Sequence, residues 1–297
     1  MAGERPARRY AIGDAGFDAP PLAPGLYVVS TPIGNLRDIT LRALETLAAA
    51  DLVLCEDTRT SARLFEHYDI RGPRQALHEH NERERVAEIV GRIVDGAAIA
   101  LICDAGTPLV SDPGFPLIRA LGEAGLEIFA VPGASAVLSG LVVAGLPTDS
   151  FAFFGFLPAK SGARGNALAG LAERRETLVF YESPRRLADT LGAMAEAFGV
   201  ERPAAVALEL TKKFERVARG TLGELQARFA GETVKGEAVV LVGGAAEREI
   251  DEAGWQAALE AALEGQPLRT AVDSVAEAYG LKRKQVYDAA LALRNRQ

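Results

Sequence analysis

Short runs of apolar and β-branched residues alternate along the chain with longer stretches in which apolar residues recur at helical spacing. The six clearest runs cover residues 26–29, 52–55, 99–103, 128–131, 178–181 and 205–208. Runs of this length and composition predict buried β-strands, and strands that alternate with helices are typical of a sheet with helices packed on its faces. The pattern therefore predicts an α/β fold.

Each of the six runs ends in a burst of small, polar or charged residues. In chain order the bursts read STPIGNLRD, EDTRTS, CDAGTPLVSDPG, PGASA, ESPRR and ELTKK. Ligands of open α/β sheets bind in the crevice outside the carboxyl ends of the parallel strands. Polar residues that follow strand after strand therefore predict a ligand pocket, and with it an enzyme.

The third burst is the strongest of these signals. Strand-to-helix links usually need roughly two to six residues, whereas the segment from Asp104 to Gly114 uses about eleven. Gly106 and Gly114 allow the backbone to approach a ligand closely, and Pro108 and Pro113 stiffen the path. A simple turn needs none of this, so we interpret the segment as part of a binding site.

The chain divides into four segments. Residues 1–24 mix Arg, Gly, Ala and Pro without periodicity, turn-forming residues cluster at 145–149, and after Gly244 the composition shifts to Ala, Glu and Leu at helical spacing. We therefore predict a flexible N-terminal extension over residues 1–24, an N-terminal α/β domain over 25–147, a C-terminal α/β domain over 148–245 and a helical tail over 246–297.

Three helices are predicted in the tail, over residues 255–263, 268–279 and 282–294. The apolar stripes of the last two predict a contact between two sets of residues, Ala271, Val275 and Ala278 on one helix and Val286, Ala289 and Leu293 on the other. A helix, a tight turn with Gly280 and a basic second helix resemble a helix-turn-helix, and a plain helical cap fits the same pattern equally well. The sequence leaves both interpretations open.

The composition of the chain indicates how many domains it forms and in which compartment we expect it. A chain of 297 residues with 48% hydrophobic content can bury the cores of about two domains. No run approaches the roughly 18 apolar residues of a membrane helix, so we expect no membrane association and a cytoplasmic location. Cys55 and Cys103 each end an apolar run, which is typical of reduced, buried thiols rather than of a disulfide.

The distribution of charge is uneven. The formal net charge is −7, which argues against general electrostatic attraction to nucleic acid. Residues 281–297 are an exception, because they carry five basic side chains and one acidic side chain. A local basic patch in the tail is therefore a candidate for RNA binding.

Other motifs admit more than one interpretation. The common dinucleotide and triphosphate fingerprints are absent. His78 and His80 have a spacing that suits one metal ion poorly, and no third ligand is indicated, so we expect no metal. Asp57 and Arg59 form either part of a site or a helix cap with an ion pair. Arg185 lies either on a phosphate site or on a solvated helix face.

Nine motifs occur in order across almost all of the chain between Gly25 and Gly244: STPIGNLRDIT, EDTRTS, HEHNE, DAGTPLVSDPG, VPGASA, GFLP, YESPRR, ELTKKFE and KGEAVVLVGG. In this order they resemble the ribosomal small subunit methyltransferase I family, which belongs to the tetrapyrrole methylase superfamily. The resemblance implies two α/β domains of tetrapyrrole-methylase type with a cofactor cleft between them, followed by the small helical tail.

The resemblance also implies a function. It implies S-adenosylmethionine-dependent 2′-O-methylation of a cytidine ribose in the decoding region of 16S ribosomal RNA, within the small ribosomal subunit and by a homodimer. Carried over motif by motif, the residues expected to bind S-adenosylmethionine are Pro32, Gly34, Asp104, Gly106, Thr107, Val110, Ser135, Ala136, Tyr181, Leu208 and Gly236.

The residues that would take the ribose proton and hold the RNA are less closely defined than the cofactor residues. The candidates for a base that takes the ribose proton are Asp57, His80, Glu82 and Glu182, and the sequence does not choose among them. We expect RNA contacts from seven basic residues: Arg59, Arg185, Lys212, Lys213, Lys282, Arg283 and Lys284. Two alternative functions stay open, namely C-methylation of a tetrapyrrole and a non-catalytic RNA-binding role in ribosome assembly.

Overall fold

The computed structural model describes residues 8–232, 234–246 and 252–294. The chain forms two compact units, Met1–Ala245 and Ala246–Gln297, which we call the main unit and the tail unit. The strands of the main unit are β1 (Arg9–Ile12), β2 (Ala15–Asp18), β3 (Gly25–Val29), β4 (Leu52–Cys55), β5 (Arg74–Ala76), β6 (Ala98–Leu101), β7 (Ile128–Val131), β8 (Phe151–Phe156), β9 (Thr177–Glu182), β10 (Pro203–Leu208), β11 (Arg216–Thr221) and β12 (Ala238–Val242). Its helices are α1 (Leu41–Ala49), α2 (Thr58–His67), α3 (Glu82–Val94), α4 (Phe115–Glu123), α5 (Ala136–Ala144), α6 (Ser161–Ala169), α7 (Leu187–Phe198) and α8 (Leu222–Phe229). No helix in these described ranges is long and apolar enough to cross a membrane.

The first sheet is fully parallel and has the strand order β5-β4-β6-β3-β7. Every residue of β4 and β6 is buried, which explains their continuous apolar sequence. Helices α1 and α2 contribute Leu44 and Phe65 to the core on one face, and α3 and α4 contribute Ile89 and Leu121 to the core on the other. The predicted α/β class is confirmed, and the carboxyl ends of all five strands lie at one edge.

The second sheet is mixed and has the order β11-β10-β12-β9-β8. Strands β8 and β9 are parallel, whereas β12 runs antiparallel to both β9 and β10. The carboxyl ends of β9 and β10 still meet at one edge, because both strands oppose β12. Glu182, Ala238 and Leu208 are in register across that edge. The polar segments that follow β9 and β10 therefore lie together, although the second sheet is not parallel throughout. The predicted division of the main unit into two domains at residue 147 stays a prediction.

Helix α5 joins the two halves of the main unit, the first built on the first sheet and the second built on the second sheet. It follows the last strand of the first sheet, yet its Val137 and Leu141 pack against Val239 and Leu241 of β12. Gly140 permits this approach, because a Cβ at that position would lie 3.1 Å from Val239 Cγ1. The contact holds the edges of both sheets around a common site.

The N-terminal segment differs from the prediction of a flexible extension. Strands β1 and β2 form an antiparallel hairpin, with Gly13 at φ +60° in its turn. Tyr10 is 5% exposed, its ring stacks on Phe17, and the N–H of Ala11 donates to the Tyr68 carbonyl at 2.7 Å. Four-residue strands are too short to show periodicity, so the prediction was wrong for the described part of this segment, from residue 8 onward. Residues 1–7 lie outside the described residues.

The tail unit contains α9 (Glu252–Gly265), α10 (Leu268–Tyr279) and α11 (Arg283–Arg294). Its core includes Trp255, Val272 and Val286, and Gly280 ends α10 at φ +63°. Of the predicted contact residues, Ala271, Val275 and Val286 are buried and Ala289 and Leu293 are partly buried, whereas Ala278 is exposed. The buried stripe of α10 uses Ala276 where Ala278 was predicted.

Candidate functional site

The edges of the two sheets enclose a cavity of about 430 Å³, which we call the inner cavity. The first half lines it with Ile33, residues 104–107 and 110–112, Ser135 and Ala136, and the second half with Phe156 and residues 181–184 and 236–239. Eight of the eleven predicted cofactor residues line this cavity: Asp104, Gly106, Thr107, Val110, Ser135, Ala136, Tyr181 and Gly236.

Hydrogen bonds tie three strand-end loops together beside the inner cavity. The backbones of Thr31 and Gly106 exchange two bonds, at 2.8 and 3.1 Å. The hydroxyls of Ser30 and Thr107 lie 2.9 Å apart, and Thr107 Oγ1 also donates to the Ala134 carbonyl at 3.2 Å. The long loop predicted from its length is therefore fixed to its two neighbours, which gives the cavity a rigid wall.

Two loops near the cavities contain residues with a strained backbone. Leu109 and Ser111 have φ of +75° and +70°, and Glu209 and Thr211, in the loop after β10, have φ of +52° and +64°. A left-handed conformation costs a residue with a side chain about 1–3 kcal/mol, and such residues cluster at functional sites. The sequence carries no signal for them, because none of the four is a glycine.

Burial and neighbouring charge shift the pKa of several groups in the cavity wall. Burial raises the pKa of Asp112, and a hydrogen bond with the Cys103 thiol partly offsets that rise. Burial, with the Asp112 carboxylate as a second cause, raises the pKa of Tyr181 to about 12. Burial also raises the pKa of the Cys103 thiol above its usual range, so the thiol stays protonated and is a poor nucleophile.

We expect Asp112→Asn to raise the free energy of unfolding at about pH 7 and to change it little at about pH 3. Burial raises the pKa of this carboxyl in the folded protein, so the stability it contributes is lost as the pH rises through that pKa, and asparagine has no proton to lose. Urea unfolding across this pH range measures the difference. Asp149→Asn, at an exposed turn, is the control. A gain that is independent of pH would contradict the prediction.

Asp57 and Arg59 form a helix cap with an ion pair. Asp57 Oδ1 accepts the Arg59 N–H at 2.8 Å at the start of α2, and Asp57 Oδ2 lies 2.6 Å from Arg59 Nη2. The hydrogen bond from the Arg59 side chain lowers the pKa of Asp57 to about 2. A carboxylate with this pKa is a weak base at neutral pH, and neither residue lines the inner cavity.

Two other base candidates lie outside the inner cavity. Glu82 Oε2 accepts the N–H of Gly114 at 2.8 Å and so holds the far end of the 104–114 loop. His80 is exposed in the turn before α3. Among the described residues, no group of three or more His, Cys, Asp or Glu residues is arranged to hold a metal ion.

Glu182 is the one base candidate of the four that lines the inner cavity. Its side chain is 1% exposed, and both carboxylate oxygens have partners. Oε1 accepts the N–H of Ser183 at 2.7 Å, and Oε2 accepts a hydrogen bond from the hydroxyl of Thr190 at 2.6 Å. The guanidinium of Arg186 lies 3.4 Å from Oε1. Arg186 in turn donates to the carbonyls of Leu157 and Pro158. This network indicates a structural role for Glu182 at the junction of β9, α7 and the segment after β8.

A second and more polar cavity of about 860 Å³, which we call the outer groove, opens beside the first. Residues 31–37, Thr60, Ser61, Arg63, Leu64, His67, residues 102–105 and 211–213, and Glu237 line it. Ile33, Asp104, Ala105 and Glu237 line both cavities. A molecule in the groove can therefore reach a molecule in the inner cavity.

Several predicted site residues belong to the outer groove or to neither cavity. Pro32 and Gly34 line the groove, and Leu208 is 1% exposed in β10 and lines neither. Of the predicted RNA contacts in the main unit, Lys212 and Lys213 line the groove, whereas Arg59 and Arg185 do not. Four further lining residues were not among those expected to bind the cofactor or RNA: Arg37 and Asp112 lie within the first and third bursts, whereas Arg63 and His67 lie in no motif.

Lys212 is held in place at the boundary of the two cavities. Its Nζ lies 3.0 Å from both Glu209 Oε1 and Glu237 Oε2. Its aliphatic chain crosses Gly34 so closely that a Cβ there would lie 2.4 Å from Lys212 Cγ. The ammonium group is thus neutralised within the protein, and Gly34 is required for space.

The three predicted RNA contacts of the tail unit are solvent-exposed. Lys282 and Lys284 are exposed beside the start of α11, and Arg283 pairs with Asp273 of α10 at 2.5 Å. Their role in RNA binding stays a prediction.

Comparison with known proteins identifies the families that the main unit and the tail unit match. Residues 25–226 match the family described as Tetrapyrrole (Corrin/Porphyrin) Methylases, and residues 249–294 match the RsmI C-terminal HTH domain. The structure of uroporphyrin-III C-methyltransferase from Thermus thermophilus complexed with S-adenosylhomocysteine has a TM-score of 0.52 at 21% identity, over 74% of this chain and 97% of that chain. The main unit therefore belongs to the tetrapyrrole methylase family.

Close relatives narrow the assignment. Ribosomal RNA small subunit methyltransferase I of Mesorhizobium japonicum is 47% identical over 285 residues, which is 96% of this chain and 97% of that protein. The Haemophilus influenzae protein of the same name is 47% identical over 272 residues, 90% and 96% of the two chains. The chain belongs to the ribosomal RNA small subunit methyltransferase I family, which confirms the resemblance of the nine motifs. The match to the HTH domain favours the helix-turn-helix interpretation of the tail.

Proposed function

We propose that this protein transfers a methyl group from S-adenosylmethionine to the ribose 2′-oxygen of a cytidine in the decoding region of 16S ribosomal RNA. The observation that carries the proposal is the pairing of two cavities in the main unit: a smaller, mostly apolar one that suits a small cofactor, and a larger, more polar one with basic residues in its wall, which meets the first at Asp104 and Glu237. Family membership supplies the class of reaction. A homodimer acting on the small ribosomal subunit in the cytoplasm belongs to the same proposal.

The inner cavity suits S-adenosylmethionine in size and chemistry. Small-molecule sites usually enclose about 300–1,000 Å³ and combine apolar walls with a few polar groups. Val110, Ala136 and Val239 provide apolar wall for an adenosine, and the carboxylates of Asp104 and Asp112 suit the positive charge of a sulfonium. When bound, S-adenosylmethionine supplies an electrophilic methyl group, and its transfer to a hydroxyl forms a carbon–oxygen bond, leaves a neutral thioether and releases one proton.

The residues of this chain contribute mainly by positioning. A hydroxyl held in line with a reactive methyl group needs little further activation, and correct orientation alone accounts for several kcal/mol of a barrier. Asp104 and Glu237 face the point where the two cavities join, and the Asp57 N–H donates to Asp104 Oδ1 at 3.2 Å. Glu237 is paired with Lys212, so Asp104 is the carboxylate that the geometry favours beside the ribose.

The proposal is tested by methyl transfer from labelled S-adenosylmethionine to small ribosomal subunits that lack their decoding-site methylation. We expect incorporation of label, and nuclease digestion with mass analysis should give a 2′-O-methylated cytidine. Subunits that already carry the modification are the control and should accept no label. Transfer to a tetrapyrrole, or cofactor binding without transfer to any ribosomal particle, would favour the alternative functions.

A further inference from the structure

We infer that Arg37 and Arg63 hold two phosphates of the RNA strand that flank the target nucleotide, and that the strand enters the outer groove along α2. The inference rests on the proposed function, because it names how the same site takes its RNA substrate. It assigns the strand to one wall of the groove and to two arginines: Arg37, which lies in the first motif but was given no role there, and Arg63, which lies in none of the nine motifs.

The first argument is that these guanidinium groups are available. Arg37 lies in the 3₁₀ turn after β3, Arg63 lies in α2, and both are exposed side chains that line the outer groove. Neither forms an ion pair with a carboxylate in the described part of the chain. Arg59, one turn earlier on α2, is committed to Asp57 and lies outside the groove. A guanidinium presents paired donors that match a phosphate, so an unpaired one at a groove is suited to that contact.

The second argument is that the backbone segments that carry the two arginines are tied together. The hydroxyl of Tyr68, at the end of α2, donates to the carbonyl of Leu36 at 2.7 Å. The side chain of Asn35 accepts the backbone N–H of Arg37 at 3.2 Å. These bonds tie the turn that carries Arg37 to the helix that carries Arg63. Two donors on a braced frame lose less conformational freedom on binding than two on independent loops.

The third argument is the distribution of charge around the site. Burial raises the pKa of Glu56, and the carboxylates of Asp104, Asp112 and Glu79 add to that rise. This acidic cluster reaches the groove at Asp104 and would repel a phosphate placed beside it. Lys212 is already neutralised by two carboxylates, whereas Lys213 is exposed at the groove. The attractive path for a phosphate backbone therefore runs past Arg37, Arg63 and Lys213.

The test compares R37A/R63A with wild type in binding to a single-stranded RNA oligonucleotide that contains the decoding-region sequence. Each phosphate contact contributes about 0.7 to the slope of log affinity against log salt, so the double variant should lower that slope by about 1.4. RNA affinity at low salt should fall by about tenfold or more, and the KM for small subunits should rise. The Kd for S-adenosylmethionine, measured by calorimetry, should not change, which also shows that the variant is folded.

Matched controls separate this role from general loss of charge. R71A/R119A removes two exposed arginines that are paired with Asp69 and Glu123, and it should leave the salt slope and the RNA affinity close to wild type. R37K/R63K keeps both charges and should restore most of the slope. An unchanged slope in R37A/R63A, or an equal loss in R71A/R119A, would overturn the inference. Failure of wild type to methylate any subunit would instead count against the proposed function, because the binding comparison does not depend on turnover.

Discussion

Gly236→Ala should weaken the binding of S-adenosylmethionine about tenfold or more and lower the free energy of unfolding by about 1–3 kcal/mol. Gly236 lines the inner cavity at φ +87°, where a residue with a Cβ is strained. The added Cβ would also lie 1.8 Å from Glu209 Oε1. That oxygen accepts the N–H of Glu237 at 3.1 Å and the ammonium of Lys212 at 3.0 Å, so moving it aside breaks the contacts that shape the junction of the two cavities.

Calorimetric titration with S-adenosylmethionine and urea unfolding measure the two effects. Gly231→Ala is the matched control, because a Cβ there meets no atom within 4 Å. That variant should bind the cofactor like wild type. If Gly236→Ala keeps wild-type affinity, then the loop before β12 does not shape the cofactor site, and the place of the cofactor in the inner cavity must be reconsidered.

The sequence predicts the site best where length and composition are unusual. The segment from Asp104 to Gly114 is too long for a plain link, and it provides one wall of the inner cavity. Strand-end bursts from both halves also meet at one site. In the second sheet they do so for a reason that the sequence does not show, since β9 and β10 end at the same edge only because both oppose β12.

The rest of the site depends on contacts between residues that are far apart in the chain. The left-handed conformations of Glu209 and Thr211 follow from tertiary contacts and leave no local pattern. Arg63 looks like any exposed helix residue until the fold places it in the same groove as Arg37. Among the candidate bases, sequence alone cannot separate a reactive carboxylate from one such as Glu182, whose partners come from α7 and from the segment after β9.

Glu182→Ala should lower the free energy of unfolding by about 3 kcal/mol or more, whereas Glu182→Gln should lower it by about 1 kcal/mol and keep most of the kcat. The alanine variant leaves the guanidinium of Arg186 without its carboxylate and removes the acceptors of Ser183 and Thr190. Glutamine keeps one oxygen for the Ser183 N–H, and the Thr190 hydroxyl can turn to accept from the new amide. Urea unfolding and steady-state kinetics with small subunits as substrate measure both properties.

Thr190→Val provides the companion change, because it removes the buried hydroxyl that donates to Glu182 Oε2 and leaves the carboxylate in place. In a double-mutant cycle, Glu182→Gln and Thr190→Val should show a coupling of about 0.5–3 kcal/mol in stability and little coupling in kcat. A base that takes the ribose proton behaves in the opposite way: its removal costs about a hundredfold or more in kcat and leaves stability nearly intact. A Glu182→Gln variant that unfolds like wild type but loses activity on that scale would identify Glu182 as the base. It would also show that the network around Glu182 serves to orient that base.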